Sequence, residues 1–113
     1  MTRPADTDQA VFRAIADPTR RAIIAMLAER DRPVADIAAH FDISRPAVAK
    51  HLAVLREGGL ITVKAKGRER INQLNPPALK VAADWIRQFD RFWDERLAKL
   101  KEAVEKEIEE KNS

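Results

Sequence analysis

At 113 residues the chain has the size of one compact domain, and its 45% hydrophobic and 35% charged residues supply a core beneath a charged surface, which disfavours intrinsic disorder. It contains no cysteine, so disulfides, thiolate metal sites, iron–sulfur clusters and cysteine nucleophiles are excluded. The net charge of +3 is too small to specify a partner until its distribution is known.

Met1-Thr2-Arg3-Pro4-Ala5-Asp6 has no apolar signal core, and no apolar stretch is long enough to span a membrane. A cytoplasmic protein with no membrane partner is expected. From Asp6 to Ala16, Ala10, Val11, Phe12, Ala14 and Ile15 outline a short amphipathic helix. Asp17-Pro18 then supplies a capping residue and a proline for the first turn of a second helix, which carries Ile23, Ile24, Leu27 and Ala28 to about Arg30. Pro33 opens a brief third helix over Val34 to Phe41, broken at Asp42-Ile43. Ser44 caps a fourth, with Val48, Leu52 and Leu55 on its buried stripe and Gly58-Gly59 as its stop. The period then becomes extended: Ile61 and Val63 alternate with Thr62 and Lys64, Lys66-Gly67-Arg68 turns, and Ile71 to Leu74 returns. Asn75-Pro76-Pro77 ends the hairpin. From there Leu79, Ala82, Ile86, Phe89, Trp93, Leu97, Leu100, Val104 and Ile108 predict one unbroken helix of about nine turns at ~3.6 residues per turn.

This order is that of a winged helix-turn-helix: a mainly α fold with a two-stranded β-hairpin wing and a long C-terminal helix. The expected organisation is a single domain over 1–113, with a DNA-binding core at 9–75 and a dimerisation helix at 76–111. The free face of the fourth helix carries Arg45, Ala49 and Lys50, with His51 at its flank. Small side chains beside long basic ones let a helix enter the major groove. There Arg45 can fork onto a guanine edge, Lys50 can reach a base or phosphate, and Ala49 can meet a thymine methyl. Ser44 and the helix start add phosphate donors. Between Ser44 and Arg70 stand seven basic residues against two acidic ones, whereas Pro76 to Ser113 has eight against nine. Positive charge is therefore concentrated on the groove helix and hairpin, where Lys64, Lys66, Arg68 and Arg70 surround Gly67, as a phosphate-binding surface requires.

Several segments together resemble the ArsR/SmtB-type winged-helix repressors: Phe12 to Arg21, Val34 to Ala38, Ile43 to Leu52 with Val54-Leu55, and Gly59-Leu60-Ile61 leading to Gly67-Arg68. The resemblance spans about Gln9 to Arg91. It implies a homodimeric cytoplasmic transcription factor that represses by occupying an imperfect palindrome in a promoter, often its own. It also implies that DNA is read through the positions held here by Arg45, Pro46, Ala49 and Lys50, with the wing on the flanking backbone. Ala49 stands where many relatives have serine, so their operator preferences do not transfer. Metal-sensing relatives carry a Cys-x-Cys-Asp-Leu pattern, and the matching stretch here is Pro33-Val34-Ala35-Asp36-Ile37. Other relatives use histidine and carboxylates on the last helix. From Pro76 onward this chain has no histidine, and Asp84, Asp90, Asp94 and Glu95 alone make a poor transition-metal site. A metal-independent member with no cofactor is expected.

His51 reads equally as a DNA contact or as a hydrogen-bonding partner within its own module, and His40 as a surface or capping residue. The two do not form an i, i+4 ligand pair. Trp85, Phe89, Phe92 and Trp93 hold four of the six aromatic rings and fit a core or dimer interface better than a ligand pocket. The expected homodimer contact comprises Phe12, Ile15, Leu79, Ile86, Phe89, Trp93, Leu97 and Leu100. No nucleophile elbow or phosphate loop is present, so enzyme activity is not expected. Two other readings fit the same residues: a winged-helix module that docks an acidic protein partner, and a non-specific architectural DNA binder. An apolar ligand, a partner protein or autoregulation without an effector all fit the means of relief.

Overall fold

The computed structural model describes residues 4–112. Met1 to Arg3, part of the N-terminal stretch read for a signal, and Ser113 lie outside them. In chain order the elements are α1 (Pro4–Ile15), α2 (Pro18–Glu29), β1 (Arg32–Pro33), α3 (Val34–Ala38), α4 (Arg45–Glu57), β2 (Ile61–Lys66), β3 (Glu69–Leu74), α5 (Pro76–Arg87) and α6 (Asp90–Asn112). This is the mainly helical winged architecture that the sequence predicts. The chain divides into two compact units, one up to Ala82 and one from Ala83 onward.

The first unit is built around one apolar cluster. Val11 and Ala14 of α1, Ile23 and Leu27 of α2, Ile37 of α3, Val48, Leu52 and Leu55 of α4, Leu60, Ile61 and Ala82 are all buried. Burial of each large aliphatic side chain contributes roughly 1.5–3 kcal/mol. Helix boundaries follow local chemistry. Asp17 Oδ2 accepts from the Arg20 N–H at 3.0 Å and Pro18 occupies the first turn of α2, while Ser44 Oγ accepts from the Ala47 N–H at 3.2 Å to start α4. Gly59 ends α4 with φ +72°. Its N–H donates to the Arg56 carbonyl and that of Leu60 to the Leu55 carbonyl, the paired bonds of a Schellman turn, with buried Leu60 and Leu55 completing it.

The sheet has three antiparallel strands in the order β1-β3-β2. In the hairpin Ile61 pairs with Leu74 and Lys66 with Glu69, which leaves Gly67-Arg68 as a two-residue turn. Gly67 adopts φ +64°, as the first central residue of a type II′ turn requires. The third strand, β1, went unseen in the sequence because two residues carry no alternation to read. It is held by the buried Asn72, whose Nδ2 donates to the Arg32 carbonyl at 3.2 Å.

Two helical expectations are corrected. The third helix ends at Ala38 instead of Phe41. The His40 ring Nδ1–H donates to the Asp36 carbonyl at 2.8 Å, the acceptor that the His40 N–H would use in a continued α-helix. That N–H turns to Ile37 instead. The terminal helix is likewise not continuous: Gln88 and Phe89 separate α5 from α6. Gln88 Nε2 donates to the Trp85 carbonyl at 2.8 Å, displacing the Phe89 N–H onto Ile86. Asp90 then starts α6 with a negative charge in its first turn. Hydropathy spacing passes through both interruptions unchanged, so it could not report them.

Candidate nucleic-acid interface

The second helix of the helix-turn-helix is α4, and its two faces differ sharply. Val48, Leu52 and Leu55 are buried, whereas Arg45, Pro46, Ala49 and Lys50, with Ser44 before them, are exposed. Ser44 uses a lone pair of its hydroxyl oxygen as the cap acceptor, and its O–H can still donate.

His51 sits at the edge of this face, half-buried and bound to its own module. Arg20 Nη1 approaches His51 Nδ1 at 3.3 Å. A guanidinium only donates, so Nδ1 accepts and the neutral ring carries its proton on Nε2. Arg20 also donates through Nε to the Ala14 carbonyl at 2.7 Å and through Nη2 to the Arg13 carbonyl at 2.8 Å, satisfying the end of α1. Arg21 does the same for Ile15 at 2.9 Å. One arginine therefore ties the end of α1, the start of α2 and the flank of α4 together. The Asp17 carboxylate completes the group, 3.9 Å from His51 Nδ1. The Arg20 N–H, with the neighbouring Arg20 charge, holds Asp17 below its ordinary carboxylate value. Sequence reasoning found the Asp17 cap and missed the reach of Arg20, for which the only signal was its position three residues after the cap.

Strand alternation divides the wing cations. Arg70 pairs across with Ala65 and shares a face with Val63, Ile61 and the buried Asn72. Lys64 and Lys66, paired with Ile71 and Glu69, lie on the opposite face. Arg68 stands in the turn. All four are exposed. An open cleft of about 250 Å³ is lined by Arg45 of α4, by Arg68, Glu69 and Arg70 of the wing, and by Pro33 to Ala35 at the start of α3. Among the described residues none of its three arginines enters an ion pair.

The α2–α3 junction at this cleft is braced from beneath. Arg32 is only 5% exposed. Its guanidinium donates to Asp36 at 2.9 Å, Glu29 at 3.0 Å and the Met26 carbonyl at 3.2 Å. The Arg32 hydrogen bond, supported by the Arg30 charge, keeps the Asp36 carboxyl below its ordinary value.

The residues expected at a dimer contact separate by unit. Phe12, Ile15 and Leu79 are half-buried and pack against the core of the first unit. In the second, Ile86, Phe89, Trp93, Leu97 and Leu100 are 42–60% exposed, as are Trp85, Phe92, Val104 and Ile108. Trp85 and Phe89 meet edge to face at 5.1 Å, Phe92 and Trp93 at 5.7 Å, and Arg96 lies over Phe92 at 5.3 Å. Among the described residues no group of three histidine or carboxylate side chains is arranged to hold a metal ion, and no helix is long and apolar enough to cross a membrane.

Comparison with known proteins places this geometry. Residues 17–63 match the model of the bacterial regulatory protein, arsR family. The transcriptional repressor SdpR of Bacillus subtilis (strain 168) is 39% identical over 79 residues, covering 70% of this chain and 88% of that protein. The crystal structure of an ArsR family transcriptional regulator matches at TM-score 0.72 and 28% identity, over 83% of this chain and 97% of that one. A solution structure from Mycobacterium bovis, a homodimeric winged helix-turn-helix DNA-binding domain of a possible ArsR-family regulator, matches at TM-score 0.63 and 22% identity, over 78% and 83% of the two chains.

Proposed function

The chain belongs to the ArsR family of bacterial transcriptional regulators, and on that premise we propose that it is a homodimeric repressor of a palindromic promoter operator, its own promoter among the candidates, with no metal effector. The observation that carries the DNA reading is the two-faced α4: its apolar stripe is buried while Arg45, Pro46, Ala49 and Lys50 stand exposed beside a basic wing. A helix so presented enters the major groove, and the wing cations neutralise phosphates beside it. Two such helices in a symmetric dimer read half-sites whose centres lie about ten base pairs apart.

The homodimer rests on the apolar stripe of α6 and on the homodimeric domain from Mycobacterium bovis that shares the fold. Metal independence rests on the missing thiolates, since Pro33 and Ala35 stand before Asp36 where metal-sensing relatives carry cysteine, and on the lack of histidine after Pro76.

The test is fluorescence anisotropy of a duplex selected from a random-sequence pool by the protein itself, against a shuffled duplex of equal composition, with chelator present. The expected result is at least a hundredfold preference for the selected duplex, unaffected by chelator and reduced by Lys50→Ala. Selection that enriches no sequence would favour the architectural reading. No binding at low salt would favour a protein-docking module.

A further inference from the structure

The cleft between α4 and the wing makes a more specific assignment than the charge map, and it rests on the DNA reading above. A duplex presents two kinds of surface to a winged helix: grooves, which receive protruding elements, and the phosphate ridges that separate them. The helix α4 and the β2–β3 hairpin are the protruding elements. What fits the concavity between two elements seated in neighbouring grooves is the ridge. That concavity is the cleft of about 250 Å³ walled by Arg45 on one side and by Arg68 and Arg70 on the other, with Pro33 to Ala35 as its small apolar floor.

The charge agrees with an anion. Three guanidinium groups and one carboxylate, Glu69, line the cleft. Register places Glu69 opposite Lys66 at the turn end of the hairpin. Arg70 lines the cleft and lies on the face shared with Ile61 and Asn72, whereas Lys64 and Lys66, on the other face, do not line it. Among the described residues the three arginines have no ion-pair partner, although acidic side chains are plentiful elsewhere in the chain. Arginine also offers the planar fork that grips two oxygens of a phosphodiester at once.

We propose that Arg45 and Arg70, with Arg68 at the rim, close on one and the same backbone phosphate of the operator, so that Arg45 is a phosphate clamp and not a reader of guanine. Sequence discrimination then falls to Ala49 and Lys50 further along the exposed face of α4. The recognition helix and wing become coupled through a single DNA atom group, which sets the depth and tilt of α4 in the groove.

The experiment uses the full chain and the selected duplex, with uncharged methylphosphonates placed one at a time along each strand. For the parent protein one position per half-site should weaken binding about tenfold through loss of the clamp. In Arg45→Ala and in Arg70→Ala, substitution at that same position should have a clearly smaller effect than in the parent, while Lys66→Ala should remain fully sensitive to it. Arg45→Ala should weaken binding to selected and shuffled duplexes by the same factor and lower the salt slope by about 0.9 per half-site. The assignment is overturned if Arg45→Ala abolishes the preference for the selected duplex with an unchanged salt slope, which is the signature of base reading. It is equally overturned if Arg45 and Arg70 lose sensitivity at different phosphates. Failure of the parent to prefer any duplex would instead strike the sequence-specific repressor reading on which the assignment rests, a distinct result seen before any variant is made.

Discussion

Asp17 and Asp36 show how single side chains carry information between elements. Asp17 accepts the Arg20 N–H at the start of α2, and Asp36 accepts from the buried Arg32 guanidinium, so both carboxyls titrate below their ordinary values. A carboxyl whose folded pKa is depressed contributes stability that is fully present above its unfolded pKa, near ~3.9, and is lost as pH falls through the folded value. The thermal midpoint should therefore hold from neutral pH down to about 5 and decline below ~4. The Asp17→Asn, Asp36→Asn double variant should start less stable and show a shallower acid decline in pH-dependent thermal denaturation. An equally steep decline would locate acid sensitivity in other groups. The sequence announced the Asp17 cap through the Asp-Pro pair, because capping is local. It did not announce Arg32 as a buried cation, because its partners Glu29 and Asp36 belong to different helices and such a charge is normally read as surface.

Among the elements, α4 is fixed at both ends by residues whose roles differ in kind. Gly58 has an ordinary helical backbone, but a Cβ there would stand 3.0 Å from the Ala10 carbonyl oxygen and 3.4 Å from Ala14 Cβ. Gly58→Ala should push α1 and α4 apart and cost about 1–3 kcal/mol in chemical denaturation. Gly67 is the converse: open space surrounds it, but its φ is +64°, so Gly67→Ala should cost about 1–2 kcal/mol through backbone strain alone. Only the first variant should perturb the placement of α4, visible as chemical-shift changes in α1 in NMR spectra. Helix order, the turn and the hairpin were legible because caps, glycines and periodicity are short-range signals. The breaks at His40 and Gln88 were not. Each depends on a side chain taking a particular backbone carbonyl, at Asp36 and Trp85, and polar residues on a helix face normally carry no such meaning. Which wing cations share a face was likewise open until the pairing register of β2 and β3 was known.

At the scale of the whole molecule, the two units bury very different amounts of themselves. The first encloses a continuous core, whereas α6 buries none of its 23 residues. Leu97 and Leu100 are each 60% exposed, so Leu97→Asp with Leu100→Asp should leave the first unit folded while halving the mass seen in sedimentation and weakening binding to a two-half-site operator. A dimer of unchanged mass would place the contact elsewhere. The bareness of α6 has one more effect. Most helical stability comes from packing of an apolar face rather than from propensity, so in the proposed dimer the folding of α6 is coupled to association and becomes a matter of mass action. Dilution should melt the arm before the rest, seen as a fall in helical circular dichroism with an intact core. The protein would then sense its own abundance: scarce chains would lose their arms and let go of the operator, and abundant ones would zip together and hold it.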